Sequence, residues 1–326
     1  MDLPSAPQLR WILSHVASLL ELGAEPVRGL ILPNGEFFPD RFDGSPGSVA
    51  ALLERVQDHA GLAHLKVELA IVTPESEAQA ASCSSGACGG EGKIEVKLDR
   101  VARREDGGYR VAIGAGEIRS PVALTTGMVR AAACMFMIEA DAYRGTLDGD
   151  REALTDLAGV MLGFGVLLAN GSYLYSKGCH GVEVRSATRM PVDELTVALG
   201  LFCRLFDVPE RTAAKYLDVT PAEHFDEGYA WASSNAAVVR LLRARPDAVR
   251  AGEFSLSPAR SWLSRALAPY VGRGRKAPAT PEDELATLEH ALLSAAPSPG
   301  KKSAPDPARA RRLAELKALV DESLEE

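Results

Sequence analysis

Basic residues are in short supply: 36 Lys and Arg stand against 44 Asp and Glu, for a net charge of −8. A dedicated nucleic-acid binder would carry a basic field or stripe, so nucleic acid is not an expected partner. Cysteine is sparse as well. Five in 326 residues, an odd number scattered along a long chain, do not resemble a secreted disulfide framework, and the thiols are expected to be reduced. The opening stretch MDLPSAPQLRWILSHVASLLELG has an acidic second residue, with His15 and Glu21 inside its apolar pattern. It lacks the basic start and small-residue cleavage site of a signal peptide, so a cytoplasmic location is expected. There is no Walker sequence and no Gly-x-Ser-x-Gly elbow. Gly163 and Gly165 follow no strand, which excludes a dinucleotide fingerprint and leaves close helix packing as their expected role. Asp141, Asp148 and Asp150 lack the spacing of a calcium loop and read as a solvated, helix-capping cluster. Histidine is rare too, and none lies between His64 and His180.

What is present centres on residues 121–170. Val122 to Tyr143 is apolar almost all round, with Arg130, Glu139 and Asp141 its only acids and bases, and so reads as a helix sunk in a core. After the polar turn TLDGD, a second helix places Arg151, Glu152 and Asp156 in its first two turns. It then runs uncharged from Leu157 to Leu168 and stops at Asn170-Gly171. The two segments predict a buried helix hairpin. That uncharged run is shorter than the roughly 20 residues a bilayer requires, and Arg130 interrupts the first helix, so no membrane span is expected.

Around the hairpin, residues 8 to 23 carry a helical stripe, and Ser48 is placed to cap a helix through Val49, Leu52, Leu53 and Val56. Between them, Phe37, Phe38 and Phe42 read as aromatics anchoring a loop to the core. Three strand-like segments follow: Leu65 to Thr73, Lys93 to Leu98, and Tyr109 to Ile113, with Asp106-Gly107-Gly108 as a hairpin turn before the last. After Asn170, GSYLYSKGCHGVEVRSATR reads as irregular. Helices are then predicted from Pro191, at Pro209 to Leu217, at Pro221 to Ser234 with Thr220 and Glu223 at capping-box spacing, and at Ala236 to Arg245. SPARSWLSRALAPY is one further candidate helix. The fold class is therefore α+β: a small antiparallel or mixed sheet packed on a buried helix hairpin, followed by a helical C-terminal part. Residues 1–270 form the core domain, with 271–326 as a Pro/Ser/Lys linker and a helical tail, partly disordered. The last helix carries Leu313, Leu316, Val320 and Leu324 on one side, a surface that could dock on a protein partner.

The stretches LPNGEFFPDRFDG, LTTGMVRAAACMFM, EALTDLAGVMLGFGVLLAN, DELTVALGLF and KYLDVTPAEHFDEGYAWA, in this order, resemble a family of uncharacterised bacterial zincin-like proteins over residues 30 to 235. The resemblance implies a His-Glu-x-x-His motif in the buried helix and Glu-x-Leu-Thr-Asp-Leu at the start of the next. Two histidines at i and i+4 share a helix face and bind zinc, and the glutamate activates a water. Here the first motif falls on Arg130-Ala131-Ala132-Ala133-Cys134, which has neither the histidines nor the general base. The second persists as Glu152-Ala153-Leu154-Thr155-Asp156-Leu157, retaining carboxylates that could have been a ligand. An Arg130 guanidinium pointing at Glu152 or Asp156 would replace the metal's positive charge.

The functional expectation is a non-catalytic zincin-like scaffold or protein-binding module in the cytoplasm, without a cofactor. Its partner would be a protein, held in the former cleft or by the C-terminal helix. The alternative is a metal-binding or redox protein, or a hydrolase, with a relocated site. Cys83 and Cys88 lie in a Ser/Gly loop, and Cys179 and His180 in another irregular segment, so the four together could ligate zinc. Cys134 reads as a small core residue.

Overall fold

The computed structural model describes residues 3–72, 100–142, 150–178 and 181–257. The chain divides into two compact units, Met1–Arg260 and Ser261–Glu326, and every described residue lies in the first. Those residues form an α+β fold.

Helix α1 (Ala6–Glu21) buries Leu9, Ile12, Leu13, Val16 and Leu19, the stripe that the sequence predicts. Gln8 closes its N-terminus: Oε1 accepts the Ser5 backbone N–H at 2.9 Å, and Nε2 donates to Glu194 at 2.7 Å. Helix α2 (Pro46–His59) is capped by Ser45 rather than Ser48. Pro46 fits the first turn, where its missing N–H is no loss, and Ser45 Oγ accepts the Ser48 N–H at 3.2 Å. In the loop before α2, Phe37 and Phe38 pack partly buried against the core and edge-on to His59, with ring centroids 5.7 and 5.5 Å away, whereas Phe42 is exposed and does not anchor the loop. A 2.8 Å contact between His59 Nε2 and the Phe37 carbonyl fixes the same loop.

The sheet is mixed. Strands β1 (Val67–Val72), β2 (Val101–Arg103) and β3 (Tyr109–Gly114) lie in the order β1-β3-β2, with β3 parallel to β1 and antiparallel to β2. The predicted turn forms before β3: Gly107 has φ +81°, and the Arg104 N–H donates to the Gly108 carbonyl at 2.7 Å. The strand leading into it is Val101–Arg103, while Lys93 to Leu98 lies outside the described residues. Tyr109, Val111 and Ile113 alternate into the core while Arg110 faces out, and this inner face meets the central helix.

That helix, α3 (Pro121–Glu139), is buried on nearly every side. Ser120 Oγ caps it, accepting the Ala123 N–H at 3.4 Å. The returning segment comprises α4 (Arg151–Gly159), a π-helical turn (Val160–Phe164) and α5 (Gly165–Gly171). Asp150 caps α4 through the Glu152 and Ala153 N–H groups at 3.0 and 3.4 Å, as the capping reading expects. The expected continuous helix is broken at Gly163, whose φ is +101°. A Cβ there would lie 2.3 Å from the Gly29 carbonyl oxygen, and the Gly163 carbonyl accepts the Ile31 N–H at 2.9 Å. Close packing is thus part of this glycine's role, and the left-handed backbone is the rest. Both arms of the hairpin are long and apolar enough to cross a bilayer, yet 72% and 89% of their most apolar stretches are buried inside the fold. That is the pattern of core helices.

The segment read as irregular after Asn170 is a β-hairpin. Strands β4 (Leu174–Gly178) and β5 (Gly181–Arg185) pair antiparallel, Leu174 opposite Arg185 and Tyr175 opposite Val184. Each strand is five residues long and ends in glycine at the turn, a composition that also suits a loop. Among the described residues, five helices follow: α6 (Val192–Leu205), α7 (Glu210–Ala214), α8 (Val219–Ser234), α9 (Ala236–Ala244) and α10 (Pro246–Arg250). Thr220 does not cap α8, because the helix already begins at Val219 behind Asp218. Helix α1 packs on α10, α4 and α6, which joins this helical part to the hairpin.

Candidate functional site

The site grows from the pairing of α3 with α4. Arg130 sits in the middle of α3, where the apolar environment leaves it 3% exposed, and Asp156 on α4 is fully buried. A buried charge persists only when it is paired and hydrogen-bonded. Here Arg130 Nε donates to Asp156 Oδ1 at 2.6 Å, Nη2 donates to Glu152 Oε2 at 3.3 Å, and Nη1 reaches the Ala187 carbonyl at 3.4 Å. The second Asp156 oxygen, Oδ2, accepts the backbone N–H groups of Arg189 and Met190 at 2.6 and 2.9 Å. The loop after β5 is thereby pinned to the helix hairpin. Its Arg189 side chain adds an outer tie, with Nε 2.5 Å from Asp150 Oδ2.

Burial pushes the Asp156 carboxyl above the usual carboxylate range, against the Arg130 charge and the Met190 and Arg189 N–H donors. Every one of these neighbours donates, so both oxygens act as acceptors and the group is held as the carboxylate. At the outer tie, burial also pushes Asp150 up. There the Arg189 guanidinium and the Ala153 and Glu152 N–H groups prevail, and its carboxyl lies below the ordinary value.

The other positions of the first motif supply at most one ligand type, the Cys134 thiol, with no group of three or more His, Cys, Asp or Glu around it among the described residues. Ala131 is a buried methyl with no proton to move, and Cys134 is buried at 4% exposure. A guanidinium has no lone pair for a metal, and Asp156 is already engaged on both oxygens. Glu152 alone, with 38% of its side chain exposed, keeps access to solvent. This donor set does not fit zinc, and no reaction step through a metal follows from it. What it does fit is a fixed, buried positive charge serving one buried carboxylate, Asp156, and one at the edge of the core, Glu152.

The structure therefore brings together Arg130, Glu152 and Asp156, as the sequence expects, and adds Ala187, Arg189, Met190 and Asp150. No local spacing announces these four, because their contacts cross 33 to 57 residues of chain. Cys83, Cys88, Cys179 and His180 lie outside the described residues, as do Leu313, Leu316, Val320 and Leu324. Among the described residues, no group of three or more His, Cys, Asp or Glu side chains is placed to hold a metal ion. Cys203 on α6 is fully buried, and burial together with the charge of Glu210 pushes its thiol up to about 12.

No protein-family model, curated protein or solved structure matches the chain.

Proposed function

We propose that the chain is a non-catalytic zincin-like scaffold that binds a protein partner in the cytoplasm. The observation that carries this reading is the 2.6 Å contact between Arg130 Nε and Asp156 Oδ1, with both side chains buried. Arg130 stands at the first position of the motif that the family resemblance places on α3, and Asp156 lies in the motif placed on α4. A fixed guanidinium there neutralises the carboxylates without supplying a Lewis acid, and no side chain at the Ala131 position can activate water. On this reading a zincin-like fold serves without the hydrolytic chemistry, and recognition is the use proposed for its surface. The partly exposed surface around Glu152 and the C-terminal segment, where the sequence pattern puts Leu313, Leu316, Val320 and Leu324 on one helical face, are the two proposed docking positions.

The test is the metal content of the full chain purified without chelator, beside a Cys83→Ser/Cys88→Ser variant. The expected result is no stoichiometric metal in either protein. Near-stoichiometric zinc or iron in the parent, lost in the variant, would overturn the reading in favour of a relocated cysteine site. For the partner, a chain ending at Ala295 is expected to lose binding if the C-terminal segment is the docking element and to keep it if the surface around Glu152 is. A partner equally well bound by that chain and by a Glu152→Lys variant would rule out both positions.

A further inference from the structure

We draw no further inference here: the strongest candidate, the exposed apolar patch that Tyr175 and Val184 form across the β4–β5 hairpin, carries nothing because nothing in the structure shows what covers it.

Discussion

Gly200 and Gly228 meet where α6 crosses α8: a Cβ on Gly200 would lie 2.7 Å from the Gly228 carbonyl carbon, and one on Gly228 would lie 2.8 Å from the Thr196 carbonyl oxygen. The two helices touch backbone to backbone. A methyl group at either position has only main chain to push against, so the axes must part. Gly200→Ala is expected to destabilise the protein by about 1–3 kcal/mol, the usual range for overpacking, despite alanine's better helix propensity. Urea unfolding followed by circular dichroism reads this directly. An unchanged or raised midpoint would show that the crossing is looser than these distances imply.

Removing Arg130 leaves Asp156 as a buried charge without its cation. Arg130→Ala is expected to lower stability by about 3–5 kcal/mol. Asp156→Ala should lower it comparably, since it takes away the guanidinium's shortest contact and strands the Arg189 and Met190 N–H groups. Because the two residues act as a pair, the double variant should lose less than the sum of the single losses, with a coupling of about 0.5–3 kcal/mol. A thermal midpoint unmoved in the Arg130 variant would remove the ion pair from the list of what holds this core.

At Gly163 the backbone is left-handed and the neighbouring carbonyl leaves no room. Gly163→Ala combines an unfavourable φ, of order 1–3 kcal/mol for a non-glycine residue, with a contact that no side-chain rotation relieves. The expected loss exceeds that of Gly23→Ala, where φ is also positive but a Cβ meets nothing within 4 Å. Equal effects for the two variants would mean that the Gly29 segment moves aside freely.

The lowered carboxyl of Asp150 gives a pH signature. A carboxylate whose folded value lies below its unfolded value of about 4 adds stability above that pH and loses it as pH falls through the folded value. Asp150→Ala removes both the helix cap and the Arg189 tie, with an expected loss of about 0.5–2 kcal/mol at neutral pH. Parent and variant melting temperatures should converge as pH drops below about 4. A constant gap across that window would assign the effect to the cap's shape rather than its charge.

Cys203 offers a measure of core integrity. With its thiol pushed up to about 12 by burial, almost none is thiolate at pH 8, and reagent has no path to it. Site-resolved mass spectrometry after alkylation should find Cys203 unmodified in the native protein and fully modified in urea. Labelling under native conditions would show that α6 opens locally.

Where the pattern was one helix face or one buried stretch, the chain could be read directly: α1, the helix hairpin and α6 are each announced by a stripe or an apolar run within a few turns. The pairing of Arg130 was legible as far as a choice between Glu152 and Asp156, because a charge in the middle of an apolar helix demands a partner and the next helix offers both carboxylates. The π turn was not. A glycine in a helical run is compatible with plain packing, and only the approach of the Gly29 carbonyl, a contact distant in sequence, selects the left-handed backbone. Likewise β4 and β5 have too few residues for alternation to outweigh their glycines. The donors from Arg189 and Met190 are backbone groups, which carry no residue signature at all.

The parallel pairing of β1 with β3, with β2 between them in sequence, also sets an order of assembly. The β2–β3 ribbon closes over a five-residue connection, whereas Val67 must find Tyr109 across 42 residues of chain, a far larger loop to close. Refolding is therefore expected to form the ribbon against α3 first and add β1 at the edge later. In pulse-labelled hydrogen exchange, β3 amides bonded to β2 should gain protection before those bonded to β1. Simultaneous protection of both would place the whole sheet in a single nucleus.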